Sequence, residues 1–81
     1  MVAAVKRTRS SHGIARVNRL VRLLLMIQDL RFFHSWQLQG PLRVSKRTIF
    51  RDLAALQDAG VVLVYDAHNR QYHFTGVDLS R

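Results

Sequence analysis

"VSKRTIFRDLAAL" (Val44–Leu56) has the apolar spacing of an amphipathic helix, because Ile49, Leu53 and Leu56 fall on one stripe at about 100° per residue. Ser45 stands where an N-cap belongs, and Gly60 lies just past the expected end. The spacing therefore predicts a helix over 45–59. Its first two turns carry Lys46, Arg47 and Arg51. That is the unfavourable end for cations. The N-terminus of a helix has partial positive charge and unpartnered N–H groups, and a cation there costs on the order of 0.3–1 kcal/mol. A cluster so placed is mildly unfavourable in isolation and favourable beside a polyanion.

After this helix, "VVLVY" (61–65) and "QYHF" (71–74) are β-branched and aromatic runs separated by "DAHNR", which reads as a β-hairpin. On the N-terminal side, Gly40-Pro41 interrupts a short second helix that begins after Ser35, a candidate N-cap. "RFFH" (31–34) is a connector or short strand. A first helix spans about Ile14 to Leu30, with Val17, Leu20, Val21, Leu24 and Ile27 as its apolar stripe and Leu23, Leu25 and Met26 to spare. Phe33, Trp36, Tyr65 and Tyr72 are expected in the core. The fold class is mainly α with a small β-hairpin, in the order of a three-helix winged helix-turn-helix. Residues 1–13 form a flexible basic arm, 14–76 the domain and 77–81 a short tail.

Charge bounds the function. The chain has 81 residues, enough for one small core, and 13 Lys and Arg oppose five Asp and no Glu, giving +8. The pI is about 11.6. Such a balance is the electrostatic footprint of nucleic-acid binding. With no cysteine there is neither a disulfide framework nor a thiolate metal site. No apolar run reaches the ~18 residues of a membrane span, and the N-terminus lacks the order of a secretory signal. The expected location is cytoplasmic, or nucleoid-associated in a bacterium, with no membrane partner.

The stretch "VSKRTIFRDLAALQDAGVVLVYDAHNRQY" resembles the DNA-binding domain of DeoR-type and WYL-type transcriptional regulators, through Val44, Ser45, Arg47, Thr48, Ile49, Arg51, Asp52, Leu53, Leu56, Gly60 and Tyr72. The likeness covers about residues 16–75. It implies a winged helix-turn-helix whose helix 45–59 enters the major groove. Two departures stand out. The family's second helix ends in Gly before "VS", where this chain has Gly40-Pro41 and then Arg43. Family members also carry a C-terminal effector domain, and the few residues after the hairpin imply a stand-alone unit.

The residues point the same way without the likeness. Lys46, Arg47, Phe50 and Arg51 cluster opposite the buried stripe, where arginine can read guanine and Phe50 can touch a thymine methyl or a sugar. Arg43, Ser45 and Thr48 are further expected DNA-binding residues, Thr48 being open between phosphate contact and packing. His68 and Arg70 on the hairpin are balanced between phosphate contact and a solvated turn. Lys6, Arg7 and Arg9 form a minor-groove arm. Asp52 is expected to pair with Arg16 or Arg19. Asp66, His68 and His73 make only a weak metal cluster. No cofactor, metal or catalytic residue is expected, and no enzyme. The expectation is sequence-specific binding of double-stranded DNA by a transcriptional regulator, as a homodimer through helix 1. The alternatives are a protein–protein interaction module and RNA binding.

Overall fold

The computed structural model describes residues 12–80, in the order α1 (His12–Leu30), β1 (Phe32–Phe33), α2 (Trp36–Leu42), α3 (Lys46–Asp58), β2 (Val61–Asp66) and β3 (Gln71–Val77). Three helices pack on a three-stranded antiparallel sheet of order β1-β3-β2. The sheet is larger than the expected hairpin, because the connector adds a strand: Phe32 pairs with His73, and Phe33 with Tyr72. Among the described residues no helix is long and apolar enough to cross a membrane.

The core joins Leu23 and Ile27 of α1, Phe33 of β1, Leu38 and Leu42 of α2, Ile49, Leu53 and Leu56 of α3, Val61 of β2 and Phe74 of β3. The α3 stripe is the expected one. The α1 face is not. Val17 and Val21 are 59% and 50% exposed, whereas Leu23, expected as spare surface, is fully buried. Between Leu20 and Ile27 only Arg22 is polar, so periodicity fits more than one face. The tertiary partners choose the side centred on Leu23 and Ile27, with Leu20, Leu24 and Met26 packed beside it. The helix also begins at His12, ahead of the expected Ile14.

The start of α2 differs from expectation. Ser35 lies in the α region (φ −56°, ψ −34°), and its hydroxyl caps nothing. Gln37 takes over instead. Its Oε1 accepts the His34 N–H at 2.7 Å, while its own N–H donates to the His34 carbonyl at 3.0 Å. This is the backward half of a capping box.

Gly40-Pro41 does not break α2, which runs through both residues to Leu42. Pro41 lies within the last turn, so the lost N–H removes one bond, and burial of Leu38 and Leu42 holds the turn. The end is a Schellman arrangement: Arg43 N–H donates to Gly40 O (3.1 Å) and Val44 N–H to Gln39 O (3.2 Å). It requires Arg43 in the left-handed region, at φ 53° and ψ 48°. A left-handed conformation costs an L residue roughly 1–2 kcal/mol, partly offset in a glycine by its larger unfolded-state entropy. Arg43→Gly should therefore raise stability by about 0.5–1 kcal/mol, read as a higher midpoint in urea at unchanged slope. A lower midpoint would mean that the arginine side chain contributes more than its backbone conformation loses.

Ser45 caps α3 as expected, its Oγ accepting the Thr48 N–H at 3.2 Å. Ala59 closes the helix, and Gly60 turns the chain into β2 at φ 121°. A Cβ on Gly60 would run into the carbonyl of Asp78, whose N–H donates to Gly60 O at 2.6 Å. β3 itself runs on to Val77. A bulge falls between Val62 and Leu63, which pair with Gly76 and Phe74 and leave Thr75 as the extra residue.

Candidate nucleic-acid interface

The exposed side of α3 is a shallow surface lined by Lys46, Arg47, Phe50, Arg51 and Ala54. No acidic residue contributes to it. The Lys46 Nζ lies 5.9 Å from the centroid of the Phe50 ring, a cation–π contact that orients both side chains. Among the described residues the single ion pair is Arg19–Asp52, so Arg47 and Arg51 meet no acid. Ser45 and Thr48 are engaged with each other: beside the cap, the Ser45 hydroxyl donates to Thr48 Oγ1 at 3.2 Å.

Asp52 belongs to a different task. Its side chain is 1% exposed and is gripped by Arg19 through two hydrogen bonds, Nε to Oδ2 and Nη2 to Oδ1, the latter at 3.0 Å. The bond to Asp52 raises the Arg19 pKa above its ordinary value. Of the two expected partners, Arg19 is the one used. The fork ties α1 to α3 beneath the cationic face. Arg16, Arg51 and Asp58 line the same cleft.

The β2–β3 turn stands near α3. Asp66 organises it by accepting the N–H groups of His68 (3.0 Å) and Asn69 (3.3 Å) on Oδ1 and the Asn69 side-chain amide (2.7 Å) on Oδ2. The Asn69 side-chain bond is the main cause that lowers the Asp66 carboxyl below its usual range. Arg70 has φ 53°, and its carbonyl lies 2.8 Å from His34 Nδ1. A carbonyl can only accept, so Nδ1 carries the proton. The His34 ring stacks on Trp36 with centroids 5.4 Å apart. His34 therefore couples the start of α2 to the turn. This role had no local signal, because the two residues lie 36 positions apart.

Trp36 and Tyr65, expected in the core, are 66% and 51% exposed. With Ser35, Lys46, Phe50, Arg70 and Tyr72 they line a groove of ≈ 250 Å³ between α3, the start of α2 and the hairpin. On β2 the core-side positions Val61, Leu63 and Tyr65 pass from buried to exposed. The strand outruns the helices, and its outer part leaves the core. Phe33 is core as expected, and Tyr72 is half-buried, stacked on Phe33 at 5.3 Å and tilted against Tyr65 at 4.8 Å.

Of the other expected site residues, Arg43 and His68 are exposed. Arg43 shares a second cleft with Ala15, Arg22 and Val44. Lys6, Arg7 and Arg9 lie outside the described residues. Asp66 is committed to its turn and His73 to a stack on Phe32 at 4.1 Å, and among the described residues no group of three His, Cys, Asp or Glu is placed to hold a metal.

Compared with known proteins, the chain matches no family model, no curated protein and no solved structure.

Proposed function

We propose that the chain is a sequence-specific double-stranded DNA-binding protein, a transcriptional regulator of the DeoR-like winged helix-turn-helix type. In this reading α3 enters the major groove and the β2–β3 hairpin is the wing. The observation that carries it is the exposed side of α3, where Lys46, Arg47 and Arg51 surround Phe50 with no acid in the lining. The opposite side is closed into the core. A helix fixed through one side, with free guanidiniums on the other, is suited to base edges and phosphates. Selection of bound duplexes from a random library at near-physiological salt tests it. Enrichment of a defined motif is expected. Preference for hairpin RNA, or no enrichment, would favour the RNA or protein-interaction alternative.

Affinity should fall steeply with salt. If Lys46, Arg47, Arg51, Arg70 and a few residues of the N-terminal arm neutralise roughly 4–7 phosphates, the log–log slope is about −4 to −6. Fluorescence anisotropy of a labelled duplex between 50 and 200 mM salt measures it, and a flat dependence would remove the phosphate contacts from the reading.

Self-association, if helix 1 mediates it, uses a different surface from the expected Leu23, Leu25 and Met26, since Leu23 is buried. Ile14, Val17, Val21 and Leu25 are all at least half exposed. On a helical wheel they form one stripe opposite Leu23 and Ile27, with the spacing of a helix-pairing seam. Val21→Glu should convert a dimer to a monomer in sedimentation or light scattering without lowering the melting temperature. An unchanged mass would exclude this stripe.

A further inference from the structure

We propose that the groove between α3, the start of α2 and the hairpin binds a single unstacked nucleotide, its base on the aromatic rings and its phosphate on Lys46 and Arg70. The inference rests on the nucleic-acid reading in sharing Lys46, Phe50 and Arg70. It goes beyond it in requiring neither a duplex nor a base sequence.

Four of the seven lining residues are aromatic: Trp36, Phe50, Tyr65 and Tyr72. The only charged members are Lys46 and Arg70, both positive. A lining of ring faces and cations with no acid selects a planar group joined to an anion. A nucleotide is that combination, since every base has a π-face and every nucleotide a phosphate. The volume of ≈ 250 Å³ suits one such unit rather than a longer segment.

The rings are held in place. Trp36 is two-thirds exposed yet stacked on His34, which is anchored to the Arg70 carbonyl. Tyr65 is braced by Tyr72, which is itself stacked on Phe33 of the core. An exposed tryptophan without such support would lose more side-chain freedom on binding. Lys46 is oriented by the Phe50 ring. Because Arg70 and His34 share a hydrogen bond, one turn positions both the cation and the support of the stacking ring.

Trp36 is the sole tryptophan, so its emission reports on the groove directly. Two sources of the ligand are separated by two probes, a deoxynucleoside monophosphate and a short single-stranded oligothymidylate. Saturable quenching of Trp36 by both probes is expected if the groove takes a free nucleotide. Quenching by the oligomer alone is expected if the unit must belong to a strand. Either result supports the proposal. Tyr65→Ala should weaken the response roughly tenfold, and Tyr65→Leu, which keeps apolar bulk, should weaken it comparably, provided circular dichroism shows both folded. Arg22→Ala, on α1 and outside the groove lining, should leave the quenching unchanged. The absence of saturable quenching with either probe, or quenching insensitive to both Tyr65 variants, overturns the proposal. Duplex binding followed by anisotropy of the labelled duplex is a separate readout. A selective duplex complex with no nucleotide response sinks the groove alone, and a nucleotide response without duplex affinity sinks the duplex reading alone.

Discussion

Arg19→Met should destabilise the protein by about 3 kcal/mol, because it leaves a buried carboxylate without its counter-charge. For a domain of this size that is a fall in melting temperature of roughly 12–24 °C. The two partners are not equivalent. The Asp52 side chain is 1% exposed and that of Arg19 26%. Removing Asp52 leaves a guanidinium at the rim, which can turn to water, so Asp52→Leu should cost only about 1–2 kcal/mol. The double variant replaces a polar pair by an apolar one and should recover to within about 1 kcal/mol of the parent. Thermal unfolding of the four proteins completes the cycle. If Asp52→Leu costs as much as Arg19→Met, the asymmetry of burial does not govern the pair. The pH dependence has a definite sign. The folded-state pKa of Arg19 is raised, so its stabilisation is fully present below the ordinary arginine value and lost only as pH rises through the raised one. The pair should therefore hold across the neutral and mildly alkaline range. The same fork sets how α3 sits on α1, so Arg19→Met should also weaken duplex binding under conditions where the variant is still folded.

What could be read from the sequence divides by the range of the interaction. The third helix was legible because its cap, stripe and stop are all local. Ser45 reaches Thr48, Ile49 and Leu53 are one turn apart, and Gly60 follows the last turn. The first helix was legible as a helix but not in its orientation, since apolar residues at almost every position from Leu20 to Ile27 leave the choice of face to α2, α3 and the sheet. The end of α2 required weighing Pro41 against the burial of Leu38 and Leu42, and packing wins. The groove was the least legible part. Its rings look like core by type and spacing, and only the length by which the hairpin exceeds the helices exposes Tyr65. The anchoring of His34 by Arg70 depends on a fold already formed. The cations of α3 were found from sequence because their local placement is electrostatically unfavourable for the helix alone.

The sharpest test of the duplex reading sets Arg47 and Arg51 against Arg70. Both helix arginines are exposed near the N-terminal turns of α3, on the side opposite Ile49 and Leu53. That helix is fixed by the Ser45 cap, the buried stripe and the Arg19–Asp52 fork, so its guanidiniums start from a well-defined backbone. A bidentate arginine–guanine contact contributes ~1–3 kcal/mol of discrimination. Arg47→Ala or Arg51→Ala should therefore relax the preference at one base position by about 5–150-fold, at nearly unchanged melting temperature. Arg70 is placed differently. It sits in a turn whose carbonyl and carboxylate are already occupied by His34 and by the His68 and Asn69 amides, and a single cation on such a turn suits phosphate. Arg70→Ala should weaken matched and mismatched duplexes alike and reduce the salt slope by about one unit. The measurement is binding of each variant to a matched duplex and a panel of single mismatches, at two salt concentrations. If both helix variants keep the parental preference and Arg70→Ala loses it, the hairpin reads the sequence and α3 only holds the backbone. The continuity of α2 through Pro41 weighs against that outcome, because an unbroken helix followed by the left-handed turn at Arg43 delivers Ser45 to the cap of α3 at one fixed angle.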